Sequence, residues 1–172
     1  MKYPKFFLLI LTILIATQIF SNKDFTLIQT LTSNLGYIGA FILGIMYVYS
    51  FTAAPATSLL LILATQQNIL LTGLIAGLGS LTGDLVIFKL IRHSFDNEIQ
   101  KLKKEKWIKR IKLPPFITVL IAYITMAAPL PDEIGVTLLA AHKKISTKTF
   151  SIFAYLLNTA GIFVVLIIGR LI

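Results

Sequence analysis

The residues of this chain best placed to do chemistry are two adjacent carboxylates, Asp132 and Glu133, which follow two prolines in the sequence Pro-Leu-Pro-Asp-Glu at 129–133. The segments on either side, 116–128 and 134–141, carry no charged residue. A carboxylate at bilayer depth is costly and persists where it faces protein or water. Two prolines interrupt a helix, and freed backbone groups at that depth need a cavity around them. This combination is typical of a substrate or ion site in a transporter.

Because Asp132 and Glu133 are neighbours, their side chains point about 100° apart on a helix and cannot form a catalytic carboxylate pair. We expect one acid to face the pathway, in a setting that suits proton coupling. The other would cap a helix over 134–141, since a carboxylate favours a helix N-terminus. We interpret Pro129 and Pro131 as the residues that shape the break.

Other polar residues lie within apolar segments and are candidates for the same pathway. Asp84 ends the sequence Gly-Ser-Leu-Thr-Gly-Asp, and it would either line the pathway or form an ion pair with Lys89 or Arg92. Asn158 lies in the last apolar segment, where an interhelical hydrogen bond is the more ordinary role for an amide than ligand binding.

Another proline, Pro55, marks a second break in an apolar region. The hydroxyls of Thr57 and Ser58 beside it would either satisfy freed backbone groups or bind a polar headgroup.

Composition restricts the class of protein. The chain has 172 residues, of which 56% are hydrophobic and 13% charged, and it has no cysteine. So few charges predict one integral membrane domain over 1–172. The absence of cysteine excludes thiolate chemistry. His93 and His142 lack a third ligand at useful spacing, and no nucleotide-binding or nucleophile motif occurs. We therefore predict no metal, no cofactor and no enzymatic activity.

The apolar segments predict six parts of the chain. The basic start before helix 1 resembles a signal peptide, but no convincing cleavage site follows, so we expect an uncleaved first span. The parts, in chain order, are helix 1 at about 6–20, a re-entrant helical hairpin at 37–66, a span at 69–91, a basic interfacial segment at 92–112, a second re-entrant hairpin at 116–142 and a span at 150–172.

The two hairpins are inferred from length and from an internal repeat. Their apolar pieces are 8–15 residues long, below the roughly 17 residues that cross a bilayer. The sequence Ala-Ala-Pro recurs at 53–55 and 127–129, and Gly83 and Arg92 recur 78 residues later. With one span between the two units, the fold class is an all-α membrane protein built as an inverted repeat, with its site near the midplane. Small residues at 36, 40 and 44 and at 73 and 77 predict helix-packing seams.

The basic residues predict the orientation. The formal net charge is +9, and an excess of Lys and Arg marks cytoplasmic loops. With the N-terminus cytoplasmic, only Lys23 and Arg170 fall outside, which indicates a multi-pass protein of the plasma or inner membrane. Around 95–112 we expect contact with anionic lipid headgroups. The residues for that contact are Lys103, Lys104, Trp107 and Arg110.

The stretches 50–92 and 126–170 resemble the DedA family, also called the SNARE-associated or VTT domain family. In that family a Pro-containing re-entrant loop precedes a Gly-rich span with a Gly-Asp pair, as in Gly83-Asp84, and a second loop and span follow. The chain differs in its loops. Thr57 stands where the first loop usually has Glu, and Ala127 and Asp132 stand near the arginines of the second loop.

The resemblance implies a transporter of phospholipid or polyprenyl phosphate, a flippase or scramblase, and the acids suggest a proton or cation as coupling ion. Two other functions stay open, a small cation channel and a membrane scaffold without transport. No nucleic acid partner is expected, and a homo-oligomer is left open. The substrate or ion pathway would use Asp132, Glu133, Asp84, Thr57, Ser58 and Asn158.

Overall fold

The computed structural model describes residues 11, 13–15, 17, 18, 26–94, 115–127, 132–141 and 145–171. Within these ranges the chain is helical, with no strand, and the described residues before residue 19 are helical as well. This confirms the all-helical class. The helices are α1 (Thr26–Tyr47), α2 (Ala53–Gln66), α3 (Ile69–Ser94), α4 (Pro115–Ala127), α5 (Asp132–Ala141) and α6 (Thr147–Leu171).

Two helices, α3 and α6, are long and apolar enough to cross a membrane. They contain 26 and 25 residues, so each is just under about 40 Å long at 1.5 Å per residue. Both place large apolar side chains on the outside of the bundle, among them Leu78, Val86, Leu156 and Val164. Such outward apolar surface on long helices fits a helical membrane protein.

Each long helix begins at a polar residue whose side chain caps its first turn. The Asn68 side-chain carbonyl accepts hydrogen bonds from the backbone N–H groups of Leu70 and Leu71. The Ser146 hydroxyl accepts one from the backbone N–H of Thr149. These side chains satisfy N–H groups that the first helical turn leaves without partners. The two long helices therefore cover 69–94 and 147–171, slightly more than the spans predicted at 69–91 and 150–172.

The segment before α2 differs from the sequence prediction. The predicted first hairpin begins at residue 37, but helix α1 already begins at Thr26. It is interrupted at Gly36, whose backbone angles are φ 50° and ψ −131°. This left-handed region strains residues with a Cβ, so glycine allows the change of direction. Gly36 is therefore the residue at which α1 is kinked.

The turn between α1 and α2 comes before Pro55 and not at it. Residues 48–52 form the turn, where the Thr52 hydroxyl donates a 2.6 Å hydrogen bond to the carbonyl of Met46. Pro55 lies in the first turn of α2, where a missing N–H removes no intrahelical bond. The expected role of Pro55 as the break itself is thus corrected, and the proline instead starts the returning helix.

Glycine contacts bring α1 and α3 unusually close. Gly44 lies against the backbone carbonyl of Ala76, and Gly79 lies against that of Phe41. A Cβ at either glycine would collide with backbone atoms that have no freedom to move aside. The predicted seam of small residues is therefore a real contact, and it fixes α1 along α3.

The long helices α3 and α6 run antiparallel in contact. Their contacts extend from Gly73 against Phe163 at one end to Arg92 against Ile145 at the other. Of the two long helices, α2 packs on α6 and α5 packs on α3, in each case the long helix of the other half of the chain. Two buried apolar clusters result, one formed by α1, α2, α3 and α6 and the other by α3, α4, α5 and α6.

Candidate functional site

A layer of buried polar side chains separates the two apolar clusters. Along α3, Ala76 belongs to the first cluster and Phe88 to the second, with Ser80 and Asp84 between them. Along α6, Phe150 and Ala154 belong to the second cluster and Ile162 to the first. Asn158 and Thr159 lie between those, so both long helices change from apolar to polar at the same level.

Asp84 and Asn158 meet at the centre of this layer. The amide Nδ2 of Asn158 donates a hydrogen bond of 2.6 Å to Oδ2 of Asp84. Asp84 is fully buried and Asn158 is 1% exposed. Among the described residues no basic side chain forms an ion pair with Asp84. The alternative of an ion pair with Lys89 or Arg92 is therefore not realised, and Asn158 is the interhelical partner.

Three oxygen atoms of this layer are buried without a hydrogen-bond partner in the described structure: Oδ1 of Asp84, Oδ1 of Asn158 and Oγ1 of Thr159. Buried polar atoms are nearly always paired, so such a group calls for a physical reason. Carboxylate, amide and hydroxyl oxygens can accept a proton or a hydrogen bond, and they are the ligands that hard cations prefer. The layer thus has unused capacity for a small cationic species.

Close packing of the two long helices keeps this layer narrow. A Cβ on Gly77 would collide with the Thr159 hydroxyl. The Ser80 hydroxyl, also fully buried, donates a 2.8 Å hydrogen bond to the carbonyl of Gly77. The Ser80 hydroxyl therefore has its hydrogen-bond acceptor within α3, whereas the hydrogen-bond donor to Asp84 lies on α6. The glycine permits the approach that brings the amide within reach of the carboxylate.

An aromatic stack closes the layer on the side of the α3 C-terminus. The rings of Phe88 and Phe150 are stacked at 4.1 Å between centroids and both are fully buried. The guanidinium of Arg92 lies 4.5 Å from the centroid of the Phe88 ring and donates a 2.7 Å hydrogen bond to the carbonyl of Ile145. Asp84, Phe88 and Arg92 are spaced by four residues, so they share one face of α3.

The hydroxyls of α2 act within their own helix. Thr57 Oγ1 donates to the carbonyl of Ala53 at 2.8 Å, and Ser58 Oγ donates to that of Ala54 at 3.2 Å. Both acceptors are carbonyls one turn back in α2, the usual back-bonding position for a helical Ser or Thr. The structure does not bring the two hydroxyls into the polar layer with Asp84.

The two acids of the second proline motif lie at a helix start. Helix α5 begins at Asp132, not at Ile134, so both Asp132 and Glu133 occupy its first turn. Acids there complement the positive end of the helix dipole. Their side chains lie outside the described structure, as do Pro129, Pro131 and the predicted lipid contacts Lys103, Lys104, Trp107 and Arg110.

Sequence reasoning named Asp84 and Asn158 but did not pair them, and it missed Thr159 and the stack of Phe88 on Phe150. The spacing of Asp84, Phe88 and Arg92 along one helical face was the available signal. Within the described ranges no group of three His, Asp or Glu side chains that could hold a metal ion occurs. No protein family, no curated protein and no solved structure gives a match to this chain.

Proposed function

We propose that this protein is a membrane carrier that passes a lipid headgroup across the bilayer, with uptake of a proton at Asp84 coupled to the movement. The observation that carries the proposal is the buried Asp84–Asn158 hydrogen bond between two helices long enough to span a membrane. A carboxylate in such a place is costly to keep, and in membrane proteins it marks ion or substrate pathways.

The unpartnered oxygens of the same layer support a proton as the coupling ion. A proton on Oδ1 of Asp84 would remove its charge and would turn a buried acceptor without a donor into a donor. A charged carboxylate, by contrast, keeps its single hydrogen bond from Asn158 and has no neighbouring cation among the described residues. The two forms of Asp84 therefore differ in how well the closed layer accommodates them.

The packing order of the helices supports two opposed re-entrant hairpins, α1–α2 and α4–α5. Helices α2 and α5 contain 14 and 10 residues, which is short of a full crossing. Each packs on the long helix of the other half, an exchange that fits a pseudo-twofold inverted repeat. In such repeats the substrate site lies between the halves, where the polar layer separates the two apolar clusters.

The test is reconstitution of the purified chain into liposomes that contain a fluorescent phospholipid. A membrane-impermeant reductant then reports how fast the labelled headgroup changes leaflet. We expect the protein to accelerate this exchange, and we expect Asp84→Asn to abolish the acceleration while the protein still folds. Thr57→Val, which changes a hydroxyl bonded within α2, is the matched control and should retain activity.

The same liposomes distinguish the alternatives. A voltage-driven cation current without headgroup exchange would show that the protein is a channel and not a carrier. Asp84 would then form the selective site. If folded protein produces neither headgroup exchange nor current, the scaffold is the function that remains.

A further inference from the structure

A region that combines basic and apolar side chains lies at the C-terminal end of α3, outside the layer around Asp84. It is an open groove of about 590 Å³ lined by residues of α3 and by Thr147 at the start of α6. We propose that this groove is a docking site for the phosphate headgroup of an anionic membrane lipid. This inference rests on the proposed function, because it assigns that function's lipid a place on the protein surface.

The cations of the groove are Lys89 and Arg92, and the imidazole of His93 lies beside them. Their spacing of three and four residues puts them on neighbouring positions of one helical surface. Lys89 and His93 are exposed, whereas Arg92 is half-buried and held by the Phe88 ring and the Ile145 carbonyl. The groove thus combines one fixed guanidinium with two accessible basic side chains, an arrangement that suits a phosphate.

The walls next to these cations are apolar. Val86 and Leu90 line the groove and are 55% and 57% exposed. Val86 lies three residues before Lys89, and Leu90 lies between Lys89 and His93 in the sequence. Basic residues alone would stabilise the C-terminus of the helix, but that role does not require an adjacent apolar wall. A ligand with a charged head and an acyl chain would use both surfaces.

The start of α6 adds a favourable field for an anion. Thr147, which lines the groove, is the first residue of a 25-residue helix. The N-terminus of a helix carries a partial positive charge and attracts phosphate groups. Here it faces the same groove as three basic side chains, so the charges of two helices converge on one place.

The charge of the groove also decides between occupants. The segment 95–112, which follows α3 directly in the chain, has seven basic and three acidic residues. A basic groove repels a basic segment and attracts an anion. The bilayer beside α3 supplies anionic headgroups that carry acyl chains of the kind the walls of Val86 and Leu90 accommodate.

The test measures binding of dioctanoyl phosphatidylglycerol to the full chain in uncharged detergent, by native mass spectrometry, with dioctanoyl phosphatidylcholine as the neutral reference. We expect a preference for phosphatidylglycerol. The double substitution Lys89→Ala with His93→Ala should weaken that binding by about fivefold or more, since loss of the Lys89 charge alone costs about 1 kcal/mol. Lys148→Ala, which removes an exposed lysine next to Thr147 but outside the groove lining, should leave binding unchanged.

Unchanged affinity in the double variant, or an equal loss in Lys148→Ala, would overturn the inference. Displacement of the bound lipid by an equal concentration of inorganic phosphate would overturn it as well, because the walls would then contribute nothing. Absence of lipid binding in an unmodified protein that does exchange headgroups refutes the groove alone. Binding intact in a protein that moves no headgroup refutes the carrier and leaves the groove as a lipid site.

Discussion

Asp84 on α3 and Asn158 on α6 are joined across the helix interface by a hydrogen bond of 2.6 Å, although 74 residues separate them in the chain. The bond lies between two apolar clusters and involves the one carboxylate that is fully buried among the described residues. The proposed mechanism depends on this contact, and the contact can be tested from both sides.

Replacement of Asp84 by Asn should separate activity from stability. The amide that replaces the carboxylate can still accept the hydrogen bond from Asn158, and it brings no charge into the core, so the free energy of unfolding should change by no more than about 1 kcal/mol. Headgroup exchange in liposomes should fall to the protein-free rate and should lose the pH dependence that we expect of the unmodified protein. Exchange at the normal rate in this variant would remove the proton from the mechanism.

Replacement of Asn158 by Leu should destabilise the protein. It removes the single hydrogen-bond donor of a buried carboxylate, which costs roughly 3 kcal/mol in the free energy of unfolding. Reversible unfolding in mixed micelles, followed by circular dichroism, measures this change.

The neighbouring substitution Thr159→Val is the control for that experiment. It has nearly the same shape, and the hydroxyl that it removes is buried without a partner, so stability should be unchanged or slightly raised. An equal loss in Thr159→Val and Asn158→Leu would show that the hydrogen bond to Asp84 is not the source of the effect.

Replacement of Gly44 by Ala should separate α1 from α3. Alanine in place of glycine ordinarily stabilises a helix by about 1 kcal/mol, but a Cβ at Gly44 collides with the Ala76 carbonyl. We expect a net loss of roughly 2 kcal/mol or more in the same unfolding measurement. At Gly161 the nearest atom to an added Cβ is the Tyr47 hydroxyl at 3.3 Å, so Gly161→Ala should be tolerated. A stabilised Gly44→Ala would contradict the contact.

The proposed opposed hairpins predict labelling from opposite sides of the membrane. The chain has no cysteine, so a single introduced cysteine reports one position. We expect Phe51→Cys, in the turn between α1 and α2, and Leu130→Cys, between α4 and α5, to react with membrane-impermeant reagents from different faces in oriented vesicles. Reaction of both from the same face would refute the inverted repeat.

The long helices were predictable from the sequence because an apolar run of more than twenty residues has few other stable arrangements. The start of α3 at Ile69 agrees with the prediction, whereas α6 begins three residues before its predicted start because Ser146 caps it, and α3 ends three residues later than predicted. The kink at Gly36 was not predictable, since glycine is tolerated in both straight and bent helices. The partner of Asp84 depends on how α3 and α6 slide and rotate against each other. Periodicity of one helix does not contain that information, and the 78-residue spacing that relates Gly83 to Gly161 gives Ile162 as the counterpart of Asp84.

The placement of α2 on α6 has a consequence for biosynthesis. Helix α2 leaves the ribosome long before α6, yet much of its buried surface, including Leu61 against Gly169, is covered only by the last helix. The interface of α1, α2 and α3 therefore stays unfinished until α6 has been synthesised. Truncation before α6 should leave this face exposed and the N-terminal half open to degradation.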